Sequence, residues 1–211
     1  MKLVSLNIGK PTKISSRGRL VSSGISKTPI QKPVHVLSGG LEGDSVLNTK
    51  HHGGVDQAVY GYRTEDYDWW SDVLGSHVKQ TLFGENLTLE GIPSPSLVIG
   101  SRLIFDEVIL EVTAPRIPCQ TLNAVVGRTG FVKQFAEAAR SGFYFRVIQE
   151  GYLSVGEAFT ISEEPESGIS TVDLFNANYR QLKKGDLKKF LSAPIDIRTR
   201  NKFKKQLEKL R

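Results

Sequence analysis

From Met1 to about Ser162 the chain is written in short apolar or alternating runs, each broken within a few residues by Gly, Pro, Asn or Asp. That punctuation leaves room for short strands and for few helices, and period-two alternation turns one face of each run into a core. The reading is a mainly β domain, a barrel or sandwich, with strands over 3–8, 34–37, 58–62, 86–89, 102–105, 108–113, 143–148 and 158–161. Two helices interrupt them. Residues 64–77 open with Thr64 as a cap, place Glu65 and Asp66 in the first turn and space Tyr67, Trp70 and Leu74 along one face. Residues 130–141 space Phe131, Phe135 and Ala138 in the same way, with Gly142 where a C-terminal cap belongs. These aromatics read as core and not as a cofactor box.

After residue 162 the pattern changes. Residues 163–170 form an acidic, Pro- and Gly-containing linker, and residues 171–211 follow as a small extension of three helices, over 172–179, 186–192 and 197–210. Asp186 and Asp196 cap the second and third, and Pro194 separates them. The net charge of +6 belongs to this extension, which holds 12 Lys and Arg against 4 Asp and Glu. Such a stretch can touch nucleic acid, but lysines on the wet face of packed helices give the same count, and that reading is preferred. The extension is then a structural element or the seat of a homodimer. One cysteine permits no internal disulfide, and no apolar run approaches the roughly 20 residues of a membrane helix, so the expectation is a cytoplasmic protein without a membrane partner.

That cysteine, Cys119, sits in Ala114-Pro115-Arg116-Ile117-Pro118-Cys119-Gln120-Thr121, between two prolines and a polar run. The prolines stiffen the approach to the sulfur. A helix over 120–126 would put Cys119 at its N-terminus, and Arg116 adds positive charge, two influences that favour the thiolate. A small buried hydrophobe is the alternative. A second informative stretch joins Gly43-Asp44 to His51-His52-Gly53-Gly54, whose glycines permit close backbone approach and anion binding. Zinc on Asp44, a histidine and Cys119 is a conceivable donor set, although neighbouring histidines on an extended chain face opposite ways. Glu85 and Asn86 in Phe83-Gly84-Glu85-Asn86-Leu87 can bond a heterocycle or cap backbone. Lys27, Arg116, Arg140 and Arg146 together suit a phosphorylated ligand. No nucleophile elbow, Walker sequence or dinucleotide fingerprint is present.

Gly43-Asp44, His52-Gly53-Gly54 with Ala58-Val59, Phe83-Gly84-Glu85-Asn86-Leu87, Pro115-Arg116-Ile117-Pro118-Cys119 and Gly142-Phe143-Tyr144-Phe145-Arg146-Val147, in that order, resemble the MOSC domain family, the C-terminal domain of molybdenum-cofactor sulfurases. The basic helices resemble an extension found on a bacterial branch of hydroxylaminopurine reductases. The resemblance implies a β-barrel over 1–162 and a molybdopterin-type molybdenum cofactor with Cys119 as its metal ligand. It also implies cofactor contacts from Lys27, His52, Gly53, Gly54, Glu85, Asn86, Arg116, Arg140 and Arg146, with His52 and Asp44 as candidate proton donors beside catalytic Cys119. The expected reaction is reduction of an N-hydroxylated base or amine in a detoxifying role, with electrons from a separate reductase. A sulfur carrier or cofactor-delivery module using Cys119, a nucleic-acid binder and a zinc hydrolase are the rival readings.

Overall fold

The computed structural model of the chain describes residues 1–16, 18–47, 52–162 and 168–210; His51 and residues 163–167 of the expected linker lie outside the described residues. The first strands are β1 (Lys2–Gly9), β2 (Thr12–Ser16), β3 (Arg19–Ser23), β4 (Lys27–Ile30), β5 (Val34–Leu37) and β6 (Gly40–Leu41). A 3-10 turn (Val55–Gln57) leads into β7 (Val59–Arg63), α1 (Thr64–Leu74) and β8 (Leu87–Glu90). Then come β9 (Arg102–Ile104), β10 (Ile109–Pro115), α2 (Gln120–Val126), α3 (Phe131–Ala138), β11 (Phe143–Gln149), β12 (Gly151–Leu153) and β13 (Thr160–Ser162). Three helices close the chain, α4 (Thr171–Ala177), α5 (Lys184–Ser192) and α6 (Ile197–Lys209).

Eight strands form the main sheet in the order β13-β9-β10-β11-β7-β8-β1-β4, while β12-β5-β6 and β2-β3 make two smaller sheets. All described pairings are antiparallel except β7 with β8, which α1 links as a crossover. The strong curl brings residues 157–159 against the start of β1, where Leu3 N–H donates to the Glu157 carbonyl and Phe159 N–H to that of Met1. These are separate bonds and one isolated bridge, Lys2 with Ala158, and not a ladder, so the expected closed barrel is corrected to an open, curled sheet among the described residues. Mainly β is likewise corrected to a mixed fold, because six α-helices pack on that sheet and carry nearly as many residues as the strands.

Two apolar clusters explain the arrangement. The larger joins sheet residues such as Leu3, Leu6, Leu87, Val112 and Phe145 to Leu174, Leu187, Phe190 and Phe203 of the last three helices. The extension therefore covers the same core as the sheet. The smaller cluster is aromatic, with Trp70, Phe83, Phe131 and Phe135 at 0% exposure. Ring pairs there lie 5.0–6.2 Å apart between centroids, and truncating one such ring to alanine costs about 3–5 kcal/mol. The helix aromatics are core, as their spacing predicts.

The caps differ from expectation at three places. Helix α1 starts directly from β7 with Arg63 as its cap, so Thr64 is the first helical residue and donates to the Leu89 carbonyl. Helix α3 ends on left-handed Ala139, three residues before Gly142. Helix α5 begins at Lys184, which moves Asp186 to the first turn, where it accepts from Lys183 N–H. Asp196 does cap α6, accepting from Arg198 and Thr199 N–H.

Candidate functional site

One end of the main sheet surrounds a cavity of about 270 Å³. Strand β4 brings Lys27 into it, the loop after β6 brings Asp44, and β7 and β11 bring Tyr60 and Tyr144. Asn86 enters ahead of β8, Arg116 and Cys119 follow β10, and Thr121 comes from the first turn of α2. His52 and Gly53 complete the wall just before the 3-10 turn, and Ser22 to Ile25 cover it from the end of β3.

Cys119 is half-buried at the cap position of α2, with extended backbone (φ −122°, ψ 170°), so the two prolines do hand the sulfur to a helix start. Burial alone pushes the thiol up. A hydrogen bond from His52, another from Thr121 and the charge of Arg116 outweigh it and leave the thiol pushed down to about 6. Arg116 is buried, donates to the Phe83 carbonyl and lies over the Tyr60 ring, 5.1 Å from its centroid. Burial opposes that guanidinium charge, but Tyr60, Tyr144 and Cys119 around it hold its pKa above the ordinary value. Burial also raises Tyr60 and Tyr144, so both phenols stay protonated hydrogen-bonding groups.

Lys27 and Asp44 form an ion pair at the cavity wall, with Nζ 2.6 and 2.5 Å from the two carboxylate oxygens and each side chain 6% exposed. The same carboxylate accepts from Gly9 N–H at 2.6 Å and from the Asn86 amide at 2.9 Å. Burial pulls Lys27 below its ordinary pKa, against the pull of Asp44. Asn86 braces the wall further, accepting from Tyr60 N–H and donating to the Asn7 carbonyl.

The structure thus brings together Cys119, His52, Gly53, Asp44, Lys27, Asn86 and Arg116. It does not bring in four others. Glu85 is fully buried behind the wall, accepting from Tyr67 and Thr88 hydroxyls and Thr81 N–H, and burial raises its pKa. Arg140 binds Asp66 at 2.5 Å and lies over the Trp69 ring. Arg146 pairs with Asp56 and Glu111 and donates to the Pro194 carbonyl. Gly54 is exposed at the start of the 3-10 turn. Tyr60, Tyr144, Thr121 and the 22–25 segment join the wall without a mark in the sequence analysis. A hydroxyl two residues beyond Cys119 was a readable signal, whereas Tyr60 and Tyr144 become neighbours only through the β7–β11 register.

Comparison with known proteins gives the family and the fold. Residues 48–160 match the MOSC domain family. The uncharacterized protein YflK of Bacillus subtilis is 34% identical over 86% of this chain and 82% of its own length. A protein of Gibberella moniliformis named Reductase is 29% identical over 70% of this chain but only 27% of its own length. The crystal structure of YiiM from Geobacillus stearothermophilus superposes with a TM-score of 0.79, at 29% identity and 98% coverage of both chains.

Proposed function

The chain belongs to the MOSC domain family, and we propose that it is a reductase of N-hydroxylated bases or amines that works with a molybdopterin-type cofactor held on Cys119. The observation that carries this reading is a thiol kept as thiolate by His52, Thr121 and Arg116 in the wall of the cavity described above. Thiolates are the soft donors that molybdenum takes. Among the described residues no three His, Cys, Asp or Glu side chains converge. A metal fits here if it arrives with most of its ligands, as a dithiolene complex does, and needs one protein sulfur. The buried charge of Arg116, which no carboxylate among the described residues pairs, suits the anionic end of such a cofactor, aided by the backbone at Gly53.

When bound, the cofactor supplies a two-electron centre for oxygen-atom abstraction. Cys119 holds the metal, and Asp44 keeps Lys27 charged and fixed. The His52 imidazole N–H delivers a proton to the departing oxygen, so that R–NHOH, two electrons and two protons become R–NH2 and water. Tyr60 donates its hydroxyl to the Ser141 carbonyl, and Tyr144 remains protonated as a hydrogen-bond donor to the substrate. In this reading the electrons come from a separate reductase. The relative named Reductase supports redox chemistry around this module.

The test is turnover. Protein from a host that makes molybdenum cofactor, given an artificial reductant, is expected to convert hydroxylaminopurine to the aminopurine, and His52→Ala to lose about 100-fold in rate. No conversion by molybdenum-loaded protein contradicts the reading. Persulfide on Cys119 with no molybdenum favours the sulfur-carrier alternative.

A further inference from the structure

The segment that carries His52 belongs to no strand. Gly53 and Gly54 adopt φ of +69° and +85°, and the short 3-10 turn holds itself through one backbone bond, Gln57 N–H to the Gly54 carbonyl. Asp56 is tied to the sheet, its carbonyl accepting from the Thr113 hydroxyl of β10 and its carboxylate pairing with Arg146 of β11, whereas the described bonds to the His52 and Gly53 carbonyls come from the far end of the sequence. Arg198, in the first turn of α6, donates through Nη1 to the Gly53 carbonyl at 2.6 Å and to Gln57 Oε1 at 3.1 Å, and through Nη2 to the His52 carbonyl at 3.2 Å. Ile197 N–H donates to Asp56, and the Gln57 amide donates to Asp196. The start of α6 is thus fastened to residues 52–57 along their length.

We propose that Arg198 is a positioning residue for the thiol site: it fixes the backbone of His52 so that the imidazole faces Cys119. This rests on the reading of Cys119 and His52 given above. A guanidinium fork can grip two successive carbonyls and a side-chain amide at once, and an ammonium at the same place grips them one at a time. The basic helical extension is then a working part of the site, since its third helix supplies the described bonds to the His52 and Gly53 carbonyls. The segment is also packed against Val46, which a Cβ on Gly53 would approach within 2.8 Å. Loosening Arg198 therefore frees the His52 backbone and lets the imidazole turn from the sulfur.

The experiment compares full-length wild type with Arg198→Ala, Arg198→Lys and Arg200→Ala, all purified from a host that makes molybdenum cofactor. Arg200 is the control, since it donates to the Leu191 and Ala193 carbonyls inside the extension and makes no described bond to residues 52–57. Amide hydrogen exchange over residues 52–58 should speed up at least about tenfold in Arg198→Ala, less in Arg198→Lys, and stay near wild type in Arg200→Ala. Molybdenum occupancy should follow the same order, falling about fivefold or more in Arg198→Ala. Unchanged exchange in Arg198→Ala, or equal loosening in Arg200→Ala, overturns the proposal. So does a loosened segment with full molybdenum occupancy. If wild type itself holds no molybdenum but only Arg198→Ala loosens residues 52–58, the cofactor reading falls and the grip of Arg198 on His52 stands.

Discussion

A thiol pushed down to about 6 is mostly thiolate at neutral pH, and in this molecule the cause is local: His52, Thr121 and Arg116 outweigh the burial that opposes them. In cofactor-free protein the rate of Cys119 alkylation by iodoacetamide should therefore rise with a midpoint near pH 6, and His52→Ala should move that midpoint toward the ordinary value of about 8.5. The stability sign follows. Because the folded pKa is depressed, ionised Cys119 contributes stability above the unfolded pKa and loses it as pH falls through about 6. The stability gap between wild type and Cys119→Ala should widen as pH rises from 6 toward about 8.5, and a gap independent of pH would contradict the assignment. At Asp44 the chemistry is that of a counter-ion with four donor contacts on its two oxygens. Asp44→Ala strands a buried ammonium and should cost about 3–5 kcal/mol in urea unfolding. A cost under about 1 kcal/mol would mean that Lys27 is held by something else.

Elements meet at this site through close backbone approaches, and Gly142 shows why. It directly precedes β11 with φ +64°, and a Cβ there would stand 2.6 Å from the Gly61 carbonyl and 2.8 Å from the Tyr60 hydroxyl. Gly142→Ala should cost about 2–4 kcal/mol from the left-handed backbone and the overlap together, read as a lowered denaturant midpoint. A neutral substitution would show that β7 and β11 are packed less tightly than described. The same approach explains what could be read in advance. Strands with clean alternation, such as 3–8 and 143–148, lie within a residue or two of β1 and β11, and 120–126 coincides with α2. The β2–β3 hairpin is not legible in the sequence because its residues are mostly exposed, so no buried face marks an alternation. Thr64 and Gly142 do not cap their helices because tertiary packing sets where α1 and α3 begin and end, and a capping residue type alone does not.

Across the whole molecule the legible part was chemical and the hidden part was spatial. Cys119, His52, Asp44 and Lys27 are rare or charged residues in Gly- and Pro-rich settings, so they stand out in the sequence, and they do converge. Arg140 and Arg146 look equally suited to an anion, but Asp66, Asp56 and Glu111 claim them, and only the fold decides that. The destination of the last three helices was also hidden. Leu174, Leu187, Phe190 and Phe203 share the core of the sheet, so removing residues 171–211 should expose that core and abolish cooperative thermal unfolding. A truncated chain that melts as sharply as wild type would show an independent sheet domain. No helix among the described residues is long and apolar enough to cross a membrane.

Metal content tests the central claim most directly. Wild type and Cys119→Ser, purified in parallel from a host that makes molybdenum cofactor, should differ in elemental mass spectrometry. Near-stoichiometric molybdenum is expected in wild type and its loss in the variant. Equal molybdenum in both proteins would contradict Cys119 as the ligand, and zinc or no metal in wild type, from a host that loads a control molybdoenzyme, would contradict the cofactor itself.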